Sequence, residues 1–271
     1  MEKREIIDLH CHILPGLDDG IQEVGESVEA CRIAVQDGIT GIVATPHYKE
    51  GFFEAAPETI RAAISDLKKR LVGEGLQLQI YPGSEVHLTD NIPGKIRNGS
   101  ILTLNDTQKY ILLELPYTQY PVEFEQHIFA LQLAGIKPVL AHPERVRYFK
   151  DDIGRVAEAV RLGALTQVTS SSIMGIFGEE TTNMCFELAA KGLIHIIASD
   201  SHDASRRAPR LMDACGAIAK VVGEEGALKM ISHNPLAIIR GDEVEETTAR
   251  QDKREKADEG FSFFRLFTRR S

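Results

Sequence analysis

Short apolar runs alternate with amphipathic stretches from the N-terminus to about residue 240. Seven of these runs are rich in aliphatic and β-branched residues: EIIDLHCH, GITGIVATPH, LQLQIYPGSEV, KYILLELP, IKPVLAHPER, ALTQVTSSS and LIHIIASDSH. Their apolar stretches are continuous, which is typical of strands buried on both faces. Helical spacing is clear in one intervening segment, which begins at Pro57 and carries Ile60, Ala63, Ile64, Leu67 and Leu71. This alternation predicts repeated βα units, and therefore an α/β fold with a parallel sheet.

Nearly every apolar run has a His, Asp, Glu or Ser at its carboxyl end. A single polar strand end would need no functional explanation, because loops are polar. In a (βα) barrel, however, the carboxyl ends of all strands converge on one face, so residues far apart in sequence meet there. The repetition of His, Glu and Asp at successive ends therefore predicts a barrel with one shared pocket.

The chemistry of these strand ends indicates a metal site. His10 and His12 are two residues apart on a strand, so both imidazoles point to the same face. Asp19 in the following LPGLDDG turn is the predicted next ligand, whereas Asp18 is expected to cap that turn. The remaining candidate ligands follow later runs: His47, Glu85, Glu114, His142, Asp200 and His202. Such a set of imidazoles and carboxylates suits Mn, Zn or Fe better than Mg alone, and it is large enough for roughly two or three ions.

Charge balance suggests an anionic substrate for this site. Four carboxylates set against three divalent ions would leave about two net positive charges, which complement a phosphate monoester dianion. Arg145 and Arg207 lie a few residues beyond His142 and His202. On loops above the metals, their guanidinium groups could bind phosphate oxygens and stabilise charge during transfer. Arg206 stays ambiguous, and the other histidines are predicted to be structural: His87, His127, His195 and His233.

Composition and charge exclude several other classes of protein. The chain has 271 residues, of which 43% are hydrophobic and 26% charged, so it can form a large core. Its formal net charge of −9 argues against a general nucleic-acid surface. None of the four cysteines belongs to a CxxC pair or to the Cys-x5-Arg arrangement of cysteine-based phosphatases: Cys11, Cys31, Cys185 and Cys215. Reduced thiols and the absence of a signal-like segment lead us to expect a cytoplasmic protein.

A change of character near residue 243 predicts two regions. Residues 1–242 are expected to form a single barrel domain, and residues 243–271 a charged linker and a basic, aromatic tail. The segment from Phe261 to Arg270 mixes aromatic and cationic residues, as do segments that dock on a membrane surface or a partner protein. Folding of this tail onto the barrel is an equal alternative. The sequence does not fix the oligomeric state.

Six motifs together resemble the polymerase and histidinol phosphatase (PHP) superfamily of metal-dependent phosphoesterases: DLHCH, ATPH, GSE, LLELP, AHPER and ASDSH. Over roughly residues 5–240, LHCHILPGLDDG, VLAHPERVRY and IASDSHDASRRAP look like the bacterial tyrosine phosphatases of the CpsB/YwqE type. This resemblance implies a distorted (βα)7 TIM-like barrel with three divalent metals, usually manganese. It carries all nine candidate ligands over to metal-binding positions, and it assigns Arg145 and Arg207 to binding of the substrate phosphate.

The resemblance also implies a biological role. The substrate would be phosphotyrosine on the C-terminal tyrosine cluster of a bacterial tyrosine kinase that controls capsule or exopolysaccharide synthesis. Such a kinase could recruit the enzyme to the inner face of the membrane. Aromatic residues on the loops could flank the substrate ring: Tyr48, Phe52, Phe53, Tyr117 and Tyr120.

Three alternatives stay open at this stage. A small-molecule PHP phosphatase, such as a histidinol-phosphate phosphatase, would share the metals and differ in substrate. An amidohydrolase-type enzyme would share the HxH motif on the first strand and a late Asp. A non-catalytic module that binds a kinase would need neither metals nor turnover, and the full set of candidate ligands argues against it.

Overall fold

A computed structural model describes residues 4–244 of the chain. Strands and helices alternate along this range, as the apolar runs predict. Of the predicted linker and tail, residues 243–271, all but the first two residues lie outside the described residues, including the segment from Phe261 to Arg270. The domain boundary at residue 242 therefore stays a prediction.

Each of the seven apolar runs contains a strand, and two of the runs contain two. The strands are β1 (Ile7–Cys11), β2 (Gly41–Ala44), β3 (His47–Lys49), β4 (Phe53–Glu54), β5 (Gln79–Pro82), β6 (Glu85–His87), β7 (Tyr110–Glu114), β8 (Lys137–Ala141), β9 (Leu165–Thr169) and β10 (Ile196–Ala198). The second run is interrupted between β2 and β3, where Pro46 has no N–H to donate. The third is interrupted at Gly83 and Ser84. The short hairpin of β3 with β4 was not predicted from the sequence.

The strands form two sheets, which together make up a distorted barrel that strand pairing among the described residues does not close. One sheet has the order β1-β2-β5 and the other β10-β9-β8-β7-β6-β3-β4, so the two interruptions carry the chain from one sheet to the other. All neighbouring strands are parallel except β3 and β4. Between β10 and β1 the described residues form a single bridge, from Cys11 to Ser201. Backbone bonds of 2.8 Å from Asp200 N to His10 O and from His12 N to Ser201 O strengthen this seam.

Helices cover the outside of the strands. They are α1 (Val24–Gln36), α2 (Pro57–Gly73), α3 (Ile92–Arg97), α4 (Phe124–Leu133), α5 (Arg147–Asp151), α6 (Gly154–Arg161), α7 (Ser170–Ile173), α8 (Glu179–Ala190), α9 (Met212–Val222), α10 (Glu224–Ile231) and α11 (His233–Arg240), with 3-10 turns at Leu104–Asp106 and Pro143–Arg145. The predicted helix α2 is confirmed, because it begins at Pro57 and buries Ile60, Ile64, Leu67 and Leu71. Each such aliphatic side chain contributes about 1.5–3 kcal/mol when fully buried. No helix in residues 4–244 is long and apolar enough to cross a membrane.

Apolar side chains fill both faces of the strands, as the continuous apolar runs predicted. An outer core lies between strands and helices, and a smaller inner core includes Leu9, Val43, Leu112, Val139 and Ile196 together with Ile238 and Ile239 of α11. On β1, Ile7 and Leu9 belong to the inner core, whereas Cys11 belongs to the outer core. A register shift between Asp8 and Cys11 accounts for this change of face. Because of this shift, the side chains of His10 and His12 point towards the mouth of the barrel.

Candidate metal centre

All nine candidate ligands lie at the carboxyl-terminal side of the strands. His10 is the second-to-last residue of β1, and Glu114 is the last residue of β7. His142 follows β8, and Asp200 and His202 follow β10. His47 and Glu85 follow the carboxyl ends of β2 and β5, across the two strand interruptions, and are the first residues of β3 and β6. A cavity of about 310 Å³ opens here, lined by Asp19, His47, Lys49, Phe53, Glu85, Glu114, Tyr117, His142, Arg145, Asp200, His202 and Arg207.

His10 and His12 contact each other beside two residues of the cavity lining, Glu85 and Asp200. Their Nε2 atoms are 3.0 Å apart, and both rings are buried. Glu85 Oε2 lies 3.1 Å from Nε2 of His10 and 3.2 Å from Nε2 of His12. Asp200 Oδ1 lies 3.3 Å and 3.5 Å from the same two nitrogens. Two imidazole nitrogens and two carboxylate oxygens therefore converge on one small volume.

The outer nitrogens of these two rings are already occupied. His10 Nδ1 lies 2.8 Å from Gln167 Oε1, and His12 Nδ1 lies 2.6 Å from Asp18 Oδ2. A neutral ring that donates from Nδ1 presents a lone pair on Nε2, which is the arrangement of a metal-ligating histidine. Lone pairs facing each other without a hydrogen between them repel. The arrangement therefore fits a bound cation.

The remaining candidate ligands, except His142, form two further groups around the first. Ligand atoms of His12, Asp19, His47 and His202 lie within 4.8 Å of one another, as do those of His47, Glu85 and Glu114. Glu85 links the groups, because its oxygens also lie 3.1 Å from His47 Nδ1 and 2.8 Å from His142 Nε2. Among the candidate ligands, three buried side-chain atoms have no hydrogen-bond partner within the described residues: Glu85 Oε2, His47 Nδ1 and His142 Nδ1. The residues fit a cluster of divalent ions, and their ligand roles stay a prediction.

The electrostatics of the cluster are those of a cation site. Burial favours the neutral forms of Glu85 and Asp200, but the charge of His10 and hydrogen bonds from neighbouring imidazoles hold the pKa of both carboxyls well below the usual range. Burial also opposes charging of His10, yet Glu85 and Asp200 raise its pKa. Without metals the site would therefore take up protons, which metal binding must release.

Both predicted arginines lie beside this cluster. Arg145 Nη1 donates to Asp200 Oδ2 over 2.5 Å, and Arg207 Nη2 donates to the same oxygen over 2.7 Å. The other oxygen of Asp200 faces His10 and His12. Arg206, which the sequence left ambiguous, is exposed. One carboxylate thus separates the candidate metal ligands from two guanidinium groups.

Comparison with known proteins identifies the family. Residues 6–240 match the family model described as capsular polysaccharide synthesis, CpsB/CapC. The chain belongs to the CpsB/CapC family. It is 37% identical to the tyrosine-protein phosphatase YwqE of Bacillus subtilis over 259 residues, which cover 96% of this chain and all of YwqE. It is 30% identical over 242 residues to the tyrosine-protein phosphatase CpsB of Streptococcus agalactiae, covering 87% of this chain and 98% of CpsB.

A solved structure supports the same relationship. The chain matches one from a study of B. subtilis YwqE and Streptococcus pneumoniae CpsB, described as metal-dependent tyrosine phosphatases. The TM-score is 0.85 at 37% identity, and the match covers 89% of this chain and 96% of the other. The resemblance and the barrel fold predicted from the sequence are confirmed.

In this CpsB/CapC chain, two candidate ligands have strained backbones. His142 has a φ of 34° and Asp200 a φ of 51°, both in the left-handed region that side chains other than glycine rarely adopt. Such a conformation costs about 1–3 kcal/mol and persists where the surrounding structure holds it in place. His142 directly follows β8 and Asp200 lies two residues after the end of β10, where the backbone turns and the side chains line the cavity.

Asp18 has a larger role than the turn cap that the sequence predicted. Its Oδ1 accepts a bond of 2.9 Å from Gly20 N, as expected of a cap. Its Oδ2 contacts His12 Nδ1 and also accepts from His47 N over 2.9 Å. Burial opposes its ionisation, but His12 and these bonds lower the pKa of Asp18. Asp18 therefore orients one candidate ligand and anchors the backbone of another.

Other residues of interest divide between the site and the core. Phe53 and Tyr117 line the cavity, whereas Phe52 is 77% exposed, Tyr48 is buried, and Tyr120 packs against Tyr148. His195 is buried and bonded to Thr166, as predicted, and burial beside Lys137 lowers its pKa to about 4. His127 and His233 lie on α4 and α11. His87 lies 3.1 Å from Glu114 Oε2, a contact that the sequence did not predict.

Proposed function

We propose that this CpsB/CapC chain is a metal-dependent protein-tyrosine phosphatase, a phosphoric monoester hydrolase. The observation that carries the proposal is the position of Asp200. One of its oxygens lies among the candidate metal ligands, and the other accepts bonds from Arg145 and Arg207. The two arginines and the metals would therefore act on the same phosphoryl group. Its relatives YwqE and CpsB are named tyrosine-protein phosphatases.

The proposed cofactor is three divalent ions, with Mn²⁺ favoured and Fe or Zn as alternatives. The ligands would be His10, His12, Asp19, His47, Glu85, Glu114, His142, Asp200 and His202. All except His142 belong to one or more of the three groups, and His142 lies 2.8 Å from Glu85. When bound, such ions activate water and polarise phosphoryl oxygens. Imidazole and carboxylate donors together fit these metals.

The remaining groups of the cavity would bind and orient the substrate. Arg145 and Arg207 would hold two phosphoryl oxygens and stabilise the charge that builds on them during transfer. Burial raises the pKa of Tyr117 more than the charge of Arg145 lowers it, so the phenol stays protonated. Its O–H could therefore donate to a phosphoryl oxygen or to the leaving phenolate. Phe53, which also lines the cavity, would flank the substrate ring.

The proposed physiological substrate is phosphotyrosine on a bacterial tyrosine kinase that regulates capsule or exopolysaccharide synthesis. The family description, which concerns capsular polysaccharide synthesis, supports this assignment. A protein-borne tyrosine needs an open approach, and the described cavity opens at the loop face of the barrel. The enzyme would act in the cytoplasm, where its kinase could recruit it to the membrane.

Turnover of a phosphotyrosyl peptide and of histidinol phosphate by Mn²⁺-loaded protein tests this proposal. We expect the peptide to be preferred, and preference for histidinol phosphate would contradict it. His10→Ala should lose both bound metal, measured by elemental analysis, and activity. The matched control is His233→Ala, because His233 is exposed on α11. Retention of both metal and rate by His10→Ala would place the metal centre elsewhere.

A further inference from the structure

Phe177 lies against both arginines of the site. Its ring centre is 4.6 Å from the guanidinium carbon of Arg145 and 5.7 Å from that of Arg207. The residue is partly buried in the segment between α7 and α8. The described cavity lining includes both arginines but not Phe177.

Arg145 and Arg207 bring two like charges into a small volume. Both donate to the same oxygen of Asp200, so two positive charges lie close together and repel each other. A single carboxylate cannot neutralise both. The π face of an aromatic ring attracts cations without carrying a charge of its own. A second carboxylate in place of Phe177 would bind the guanidinium groups too, but it would also repel the incoming phosphate.

The segment that carries Phe177 is held by its own hydrogen bonds. Ile176 N donates to Ser171 O over 2.9 Å, and Gly178 N donates to Gly175 O over 3.1 Å. Gly175 and Gly178 have φ values of 89° and 88°, which other residues rarely adopt. The backbone position of Phe177 is therefore held by contacts within its own segment.

Arg145 has a second aromatic neighbour, whereas no second ring contact is described for Arg207. The ring centre of Tyr117 is 5.5 Å from the guanidinium carbon of Arg145, and the Tyr117 hydroxyl accepts a bond of 3.1 Å from Arg145 Nη2. Phe177 is thus the described ring that both arginines share.

We propose that Phe177 is a positioning residue that holds Arg145 and Arg207 side by side for the phosphate of the substrate. This inference rests on the proposed function, in which the two arginines bind phosphate. Phe177→Leu keeps an apolar side chain but removes the π face. Two cation–π contacts near the lower end of their usual strength correspond to about a tenfold weaker binding of phosphate.

The test measures binding of inorganic phosphate to Mn²⁺-loaded protein by calorimetry, together with kcat and KM for p-nitrophenyl phosphate. For Phe177→Leu we expect the Kd for phosphate and the KM to rise together about tenfold, with kcat changed much less and metal content unchanged. Phe177→Tyr keeps an aromatic ring at this position, so it should keep the wild-type Kd for phosphate and the wild-type KM. The matched control is Met174→Ala, because Met174 is 52% exposed on the same segment.

Two results would overturn the inference. One is a Kd for phosphate in Phe177→Leu equal to that of the wild type or of Met174→Ala. The other is an equally large penalty for Phe177→Leu in the Arg145→Ala/Arg207→Ala background, because the ring would then not act through the arginines. Phosphate binding does not require a tyrosyl substrate, so failure of the proposed substrate and failure of this inference are distinguishable.

Discussion

Replacing Asp18 by Asn should weaken metal binding although Asp18 is not a candidate ligand. In the structure its two oxygens accept three bonds, from Gly20 N, His12 Nδ1 and His47 N. Asparagine has nearly the same shape but only one accepting oxygen. If that oxygen serves His12 and His47, the amide NH₂ must face the N–H of Gly20. If it serves Gly20, both candidate ligands lose their acceptor.

The magnitude follows from these contacts. A hydrogen bond to a charged group contributes about 1.5–3 kcal/mol, and tenfold in affinity corresponds to about 1.4 kcal/mol. We therefore expect Asp18→Asn to weaken metal affinity about 10- to 100-fold, the range typical of groups that orient a ligand. Loss of the carboxylate charge acts in the same direction, since it lowers the basicity of His12.

Competition with a fluorescent chelator would measure this change directly. The matched control is Asp37→Asn, because Asp37 also accepts two backbone bonds, from Leu211 N and Met212 N, but lies away from the described cavity. That variant should keep its metal affinity, because both bonds go to a single oxygen, Oδ2, which the amide of asparagine can supply. Wild-type metal affinity in Asp18→Asn, or an equal loss in Asp37→Asn, would refute the reasoning.

Three further predictions concern the substrate, the core and the metals. Arg145→Ala and Arg207→Ala should each lower kcat/KM about 10²- to 10³-fold with metal content unchanged, whereas the exposed Arg206 can be replaced at little cost. The pKa of His195, lowered to about 4, means that the unfolded chain binds more protons between about pH 4 and 6.5, so stability is lost as the pH falls through that window. His195→Gln should remove about 3 kcal/mol of this pH dependence in urea unfolding; parallel profiles would contradict it. Chelation should abolish activity and lower the Tm until Mn²⁺ is restored, and a chelator-resistant rate would exclude the metal mechanism.

The sequence predicted the strands and the convergence of the candidate ligands because both depend on local patterns. Apolar runs report burial on two faces, and parallel strands bring their carboxyl ends together whatever their exact register. His10, Glu114 and His142 could therefore be placed at one face of the barrel without knowledge of neighbouring strands. The same reasoning placed Arg145 and Arg207 above them.

Residues whose role depends on register and tertiary packing were missed. Gln167 lies in the middle of β9, so nothing in its own segment indicates that it reaches His10. Asp18 looks like an ordinary turn residue until His12 and His47 are placed beside it. Phe177 sits between glycines in a loop, and its two arginine partners come from distant parts of the chain. The interruptions of the second and third strands likewise depend on which sheet each half joins.

The candidate metal centre lies at the seam between β10 and β1, so bound ions would also affect how readily the barrel opens there. These strands share one described bridge, and candidate ligands stand on both sides of it: His10 and His12 on one, Asp200 and His202 on the other. Ions bound there would cross-link the first strand of the barrel to the last. Cofactor loading and opening of the barrel would then be one coupled equilibrium. Amide exchange at His12 and Asp200, whose N–H groups span the seam, should slow as the metals bind.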